Sequence, residues 1–305
     1  MTATLALWLL FGCGIIAMLV LELGVFSRKD HPVSFGEASL RCTVWFLLAL
    51  AFGALVYYVH GREKGLQYLA AYLLEQSLSI DNMFVFVMIF HYFAIPKTSQ
   101  LRILYWGILG AVVMRFIFIF AGIGLINKFH WMLYIFGLLL IFTGAKMALQ
   151  GEEKMDPGRN PALRLLKRWM PLTTEIEGPS FFRKIGAAWH ATPLFAALLV
   201  VEFSDVVFAI DSIPAVIAIT RDPFVVYTSN VFAIMNLRSL YFMLAGLADR
   251  FRFLKYGISA ILVFVGIKMI AEPVFRVPIG VSLAVIAGVV GISILTSLWF
   301  EPEKA

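Results

Sequence analysis

Cysteine is nearly absent from this chain: Cys13 and Cys42 are the only two among 305 residues. They form no Cys-x-x-Cys pair, and each lies in or beside an apolar run. Dithiol redox chemistry therefore has no obvious equipment here. Histidine is also scarce, at 5 residues. His31, His60, His130 and His190 fall in loops or at the ends of apolar runs, and His91 closes one. That placement argues against a zinc or copper centre, which would call for imidazole or thiolate. Charge is low, at 14% of residues. No Gly-x-Gly-Asp accompanies the aspartates in apolar runs, so an intramembrane aspartyl protease is disfavoured, and no enzyme is expected. The N-terminal region has no basic stretch followed by a small-residue cleavage site. Its first apolar run, 5–26, is long enough to remain as a span, so neither a signal peptide nor a transit peptide is expected.

What fills the chain is apolar surface, at 61% of residues. Runs near or above about 18–20 residues point to an all-α, multi-spanning membrane protein. The runs predict about nine spans of roughly 20 residues, near 4–26, 39–59, 66–92, 102–126, 131–150, 192–219, 224–247, 253–272 and 278–300. Alternate connections differ sharply in basic content. One set holds Arg28, Lys29, Arg41, Lys97, Arg102, seven Lys/Arg of 151–190, Arg250, Arg252, Lys255 and Lys304. The other holds only Arg62, Lys64, Lys128, Arg221 and Arg276. The first set is predicted to be cytoplasmic, with the N-terminus outside and the C-terminus inside. The net charge of +6 thus reads as membrane orientation, and no nucleic-acid partner is expected. The one long connection, 151–191, is proline-containing and charged. Within it, 161–170 mixes basic and apolar residues at helical spacing, as a helix on the anionic leaflet or a linker helix packed on the spans would.

The acids inside the spans are the informative minority. Glu75-Gln-Ser-Leu-Ser-Ile-Asp81-Asn82 and Asp205-Val-Val-Phe-Ala-Ile-Asp211-Ser212 share an acid, a six-residue step to Asp, and a small polar residue. Glu22 and Glu202 are further acids in spans, and Arg115 and Arg238 lie well inside two others. Each charge at the bilayer centre costs at least about 2.5–3.5 kcal/mol, so such residues are functional candidates by default. The order Asp81-Asn82, Arg115, Phe142-Thr-Gly-Ala-Lys146 recurs as Asp211-Ser212, Arg238, Phe264-Val-Gly-Ile-Lys268. A three-span unit ends on the opposite side from its start, so two copies would be inverted, an architecture of secondary transporters. The expected organisation is two N-terminal spans (1–65), a first repeat (66–150), a cytoplasmic loop (151–191), a second repeat (192–272) and a last span with its tail (273–305).

Helical geometry limits what each motif does alone. Six residues rise about 9 Å and turn about 240°, so Glu75 and Asp81 cannot both aim at one ion from a straight helix. Seven residues return to nearly the same face, aligning Glu75 with Asn82 and Asp205 with Ser212. Two helices meeting at the motif centres would bring Asp81, Asn82, Asp211 and Ser212 together, with Glu75 and Asp205 flanking. Pro214 leaves the Ile210 carbonyl without its usual helical donor, a further candidate ligand beside Asp211. The alternative is structural: Arg115 with Asp81, or Arg238 with Asp211, as buried ion pairs. The donor set is carboxylate, amide, hydroxyl and carbonyl oxygen, suited to Mn²⁺, Ca²⁺ or Mg²⁺.

Leu78-Ser-Ile-Asp-Asn-Met-Phe-Val-Phe86, Asp205-Val-Val-Phe-Ala-Ile-Asp-Ser-Ile-Pro-Ala215 and Thr228-Ser-Asn-Val-Phe-Ala-Ile-Met-Asn-Leu-Arg-Ser-Leu-Tyr-Phe242 resemble the signature stretches of the TerC family. The chain as a whole resembles its Alx-type branch. The resemblance implies an inner-membrane protein linked to manganese export and to tellurium-resistance clusters. It implies Asp81, Asn82, Asp211 and Ser212 as metal-site residues, with Glu22, Glu75, Glu202 and Asp205 nearby. The expectation is a Mn²⁺ efflux transporter with one shared midplane site, no permanently bound cofactor, and protons competing with the cation. The other function class is a membrane scaffold or modulator in a stress-response complex, motivated by the basic loop.

Overall fold

The computed structural model of the chain describes residues 2–21, 34–129, 131–149, 160–173, 178, 180–185, 188–244, 253–272, 274–275 and 277–299. Glu22 and the expectation placed on it lie outside these residues. The elements in order are α1 (Thr2–Leu21), α2 (Phe35–His60), α3 (Arg62–Tyr92), α4 (Lys97–Lys128), α5 (Met132–Leu149), α6 (Pro161–Trp169), β1 (Phe182–Ile185), β2 (Ala188–Ala191), α7 (Pro193–Ile217), α8 (Pro223–Leu244), α9 (Leu254–Ala271) and α10 (Ile279–Trp299).

Local chemistry sets the helix starts. The Ser34 hydroxyl accepts from Glu37 N–H to cap α2. Asn160 caps α6 through Ala162 N–H, and Asp222 caps α8 by accepting from Phe224 N–H at 3.0 Å. Pro161, Pro193 and Pro223 each open their helix, where the missing N–H costs nothing. The turn between α2 and α3 is the single residue Gly61, at φ 90°, a conformation that favours glycine.

Helices occupy all nine of the places where spans are expected. Among the described residues, six of them are long and apolar enough to cross a membrane: α2, α3, α4, α5, α7 and α10. The segment α8 is less apolar for a visible reason. Its Thr228, Ser229, Asn230, Asn236, Arg238 and Ser239 are all buried, so its polar groups face protein, not the outside. The loop 151–191 contains the expected helix as α6. It also contains an antiparallel hairpin, Phe182 opposite Ala191 and Ile185 opposite Ala188. All four β1 residues are exposed, so no alternation marks that strand in the sequence.

Helix α3 packs against α8 and α4 against α7, while α5 runs along α9. Lys64 Nζ meets Asp222 Oδ2 at 2.5 Å, and Thr220 Oγ1 donates to Gln67 Oε1 at 2.7 Å. These contacts tie the start of α3 to the connection leaving α7, so α3 and α7 are antiparallel. At the far end Tyr241 Oη donates to Gln100 Oε1, joining α8 to α4.

The α5–α9 contact is reciprocal. Gly137 faces Gly266, and Gly144 faces Ser259, whose hydroxyl donates to the Gly144 carbonyl at 2.5 Å. One constant shift along the chain converts Gly137 and Gly144 into Ser259 and Gly266. A Cβ on Gly266 would stand 2.7 Å from the Gly137 carbonyl and 2.9 Å from Ile141 Cγ1. Because the first obstacle is backbone, Gly266→Leu is expected to destabilise the protein by about 1–3 kcal/mol through overpacking. Thermal unfolding in detergent measures this; an unchanged midpoint would show that the seam can part.

Candidate functional site

Four side chains from three helices converge in the interior. Arg115 of α4 donates from Nη1 to Glu75 Oε2 of α3 at 3.0 Å and to Ser212 Oγ of α7 at 2.9 Å. Its Nη2 lies 3.6 Å from Asp205 Oδ1 of α7. Glu75, Arg115, Asp205 and Ser212 are 1%, 2%, 4% and 2% exposed, so this is a desolvated cluster and not a surface ion pair. One guanidinium faces two carboxylates.

The cluster is incompletely satisfied. Glu75 Oε1, Asp205 Oδ2 and Arg115 Nε are buried without hydrogen-bond partners. Asn230 of α8 adjoins Glu75, near enough to interact with its carboxylate but short of good hydrogen-bond geometry. Leaving a buried polar atom unmet costs about 1–3 kcal/mol. Several unmet acceptors around a carboxylate pair are therefore positions for water or a cation. Among the described residues no three His, Cys, Asp or Glu side chains form a metal-binding group. A cation here would take two carboxylates supplemented by Asn230 amide and Ser212 hydroxyl oxygens, a hard-donor set.

Glu202 lies one turn before Asp205 on α7. Its carboxylate rests against Gly110 of α4, where a Cβ would collide with it. A narrow cavity borders the cluster at Asp205, in the half of the bundle that holds the starts of α4 and α7. Phe86, Leu104, Gly107, Val201 and Leu237 form apolar walls, and among the described residues Asp205 is its one charged lining residue.

Of the expected pairing of Asp81-Asn82 with Asp211-Ser212, the structure brings Ser212 into the cluster, and the Asp81 side chain lies outside the described residues. Glu75 and Asp205 meet through Arg115, and α3 and α7 run oppositely. The six-residue steps carry Asp81 about 9 Å along α3 from Glu75 and Asp211 about 9 Å along α7 from Asp205, in opposite directions; Asp211 is thereby level with Ser212, the end of the cluster that Arg115 reaches. Asp211 is half-buried and accepts from Thr143 Oγ1 of α5 at 3.1 Å. Asn82 is buried on α3. Arg115 pairs with Glu75 and Asp205. The Arg238 guanidinium is buried with its centre 6.0 Å from the Tyr105 ring centroid. The seven-residue register that aligns Asp205 with Ser212 is the one the cluster uses. Asn230 and Thr143 escaped sequence reasoning.

Fold and site together define a polytopic all-α membrane protein with a charged interior cluster. The description "Integral membrane protein TerC family" matches residues 60–305, and the chain belongs to that family. A Myxococcus xanthus protein named "Uncharacterized membrane protein STKORF319" is 51% identical over 96% of this chain and 92% of its own length. The Escherichia coli K12 protein named "Putative membrane-bound redox modulator Alx" is 43% identical over 96% of this chain and 94% of its own. The Salmonella typhi protein of the same name is 43% identical over 98% and 95%. No solved structure matches.

Proposed function

We propose that this chain is a divalent-cation transporter of the bacterial inner membrane that exports Mn²⁺ from the cytoplasm. The observation that carries this reading is the buried Glu75–Arg115–Asp205–Ser212 cluster, with an unmet oxygen on each carboxylate. Arg115 holds the two acids when no ion is bound. The cation would sit on the free oxygens, with Asn230 and Ser212 completing the site. Asp81 and Asn82 would receive the ion on one side of the cluster, and Asp211 with the Ile210 carbonyl would pass it on at the other. Glu202 would extend the acidic lining toward the cavity. Neither Cys13 nor Cys42 is in a disulfide, and a dithiol has no part in this mechanism.

Nine spans, two inverted three-helix repeats and a cytoplasmic 151–191 loop complete the reading. The reciprocal α5–α9 seam and the antiparallel α3 and α7 support the inversion. The basic connections support the orientation, which turns the Asp205 cavity toward the cytoplasm. No catalytic step is assigned. Carboxylates cannot hold a proton and a cation at once, so lowering pH on the loading side is expected to slow Mn²⁺ transport, while an acidic receiving side accelerates release. Mn²⁺ flux in proteoliposomes, with the pH gradient set in either direction, measures this. Flux indifferent to both gradients would exclude proton coupling; no flux in any condition would leave the scaffold class.

A further inference from the structure

The helix α6 has more apolar surface than the bundle covers. At about 100° per residue, Leu163 and Leu166 occupy one sector, and both are buried against the interior cluster that includes Leu194 and Ala197 of α7. Leu165 and Trp169 continue the same apolar half of the wheel, yet they are 59% and 81% exposed. Arg164, Lys167 and Arg168 fill the opposite half. The adjoining hairpin repeats the composition: Phe182, Ile185 and Trp189 are exposed beside Arg183 and Lys184. The described residues 160–173 hold Arg164, Lys167 and Arg168 and no Asp or Glu.

We propose that α6 and the β1–β2 hairpin form a platform that rests in the interface of an anionic lipid leaflet. Leu165, Trp169 and Trp189 enter the boundary between headgroups and acyl chains, and the cations contact lipid phosphates. Three observations select a bilayer as the occupant. The platform leads directly into the start of the membrane helix α7, so its height is set at the membrane surface. Tryptophan is the residue type that partitions best to that depth. The exposed apolar sector is continuous with a buried one and flanked by cations alone, as an interfacial helix requires. The platform packs on α7, which also carries Glu202 and Asp205, so lipid charge and the cluster are joined through one helix. The lipid contact does not depend on the transport reading.

The test is spin-label accessibility in the full chain. Leu165→Cys is labelled in a Cys13→Ser, Cys42→Ser background and reconstituted in phosphatidylcholine vesicles with or without phosphatidylglycerol. In the anionic vesicles the label is expected to collide more with oxygen than with an aqueous nickel chelate. That preference reverses in pure phosphatidylcholine, and also on introducing Arg164→Glu, Lys167→Glu and Arg168→Glu together. Nickel dominance in anionic vesicles overturns the proposal. So does oxygen dominance that ignores lipid charge, or a label shielded from both reagents, as a protein partner would leave it. If the triple variant does not fold, the two-lipid comparison on the otherwise unaltered platform decides.

Discussion

Arg115→Ala is expected to destabilise the folded protein by about 3–5 kcal/mol, the cost typical of removing one partner from a buried ion pair. The expectation rests on burial: Glu75 and Asp205 would face each other at 1% and 4% exposure with no guanidinium between them. The signature is the rescue. Adding Glu75→Gln or Asp205→Asn to Arg115→Ala removes the repulsion and recovers much of the loss. Millimolar Mn²⁺ recovers it in Arg115→Ala alone, by supplying the missing positive charge. Thermal unfolding of the purified variants with and without Mn²⁺ measures both effects. A metal-insensitive Arg115→Ala would mean that the two carboxylates do not form a cation site.

The second large effect is on transport. Asp205→Asn and Glu75→Gln each keep the shape of the cluster and delete one ligand charge. Each is expected to reduce Mn²⁺ flux by more than the roughly 10–100-fold that loss of a residue supporting a metal ligand brings. Asp81→Asn and Asp211→Asn lie about 9 Å along their helices from Glu75 and Asp205 and are expected to slow flux less, while leaving Mn²⁺ binding between those two carboxylates intact. Paired measurements of flux in proteoliposomes and equilibrium binding separate the two classes. If Asp211→Asn loses binding and Asp205→Asn keeps it, the ion sits at the outer aspartates instead.

Much of this was legible in the residues. Hydrophobic run length located the helices, because a membrane helix needs a contiguous apolar stretch. The 161–170 helix was legible from its period, while the β1–β2 hairpin was not, since its exposed strands carry no alternation. Glu75, Asp205, Ser212 and Arg115 stood out because ionised or polar groups in apolar runs are costly. What the sequence could not give was which acids share a level. The six-residue step made Asp81 and Asp211 look central. Placing them required knowing that α3 and α7 meet antiparallel at Glu75 and Asp205, and that contact is fixed by Arg115 on a third helix. Asn230 was hidden for a related reason: an amide among buried neighbours becomes informative only when its partners are known to be missing.

The central claim is that one cation is held between α3 and α7 at Glu75 and Asp205. Anomalous diffraction from crystals grown with Mn²⁺ tests it without assuming any flux. The expected result is a single strong peak between the Glu75 and Asp205 carboxylates, within reach of Asn230 and Ser212. A peak at Asp211 with none at Glu75, or no interior peak at saturating Mn²⁺, would contradict it.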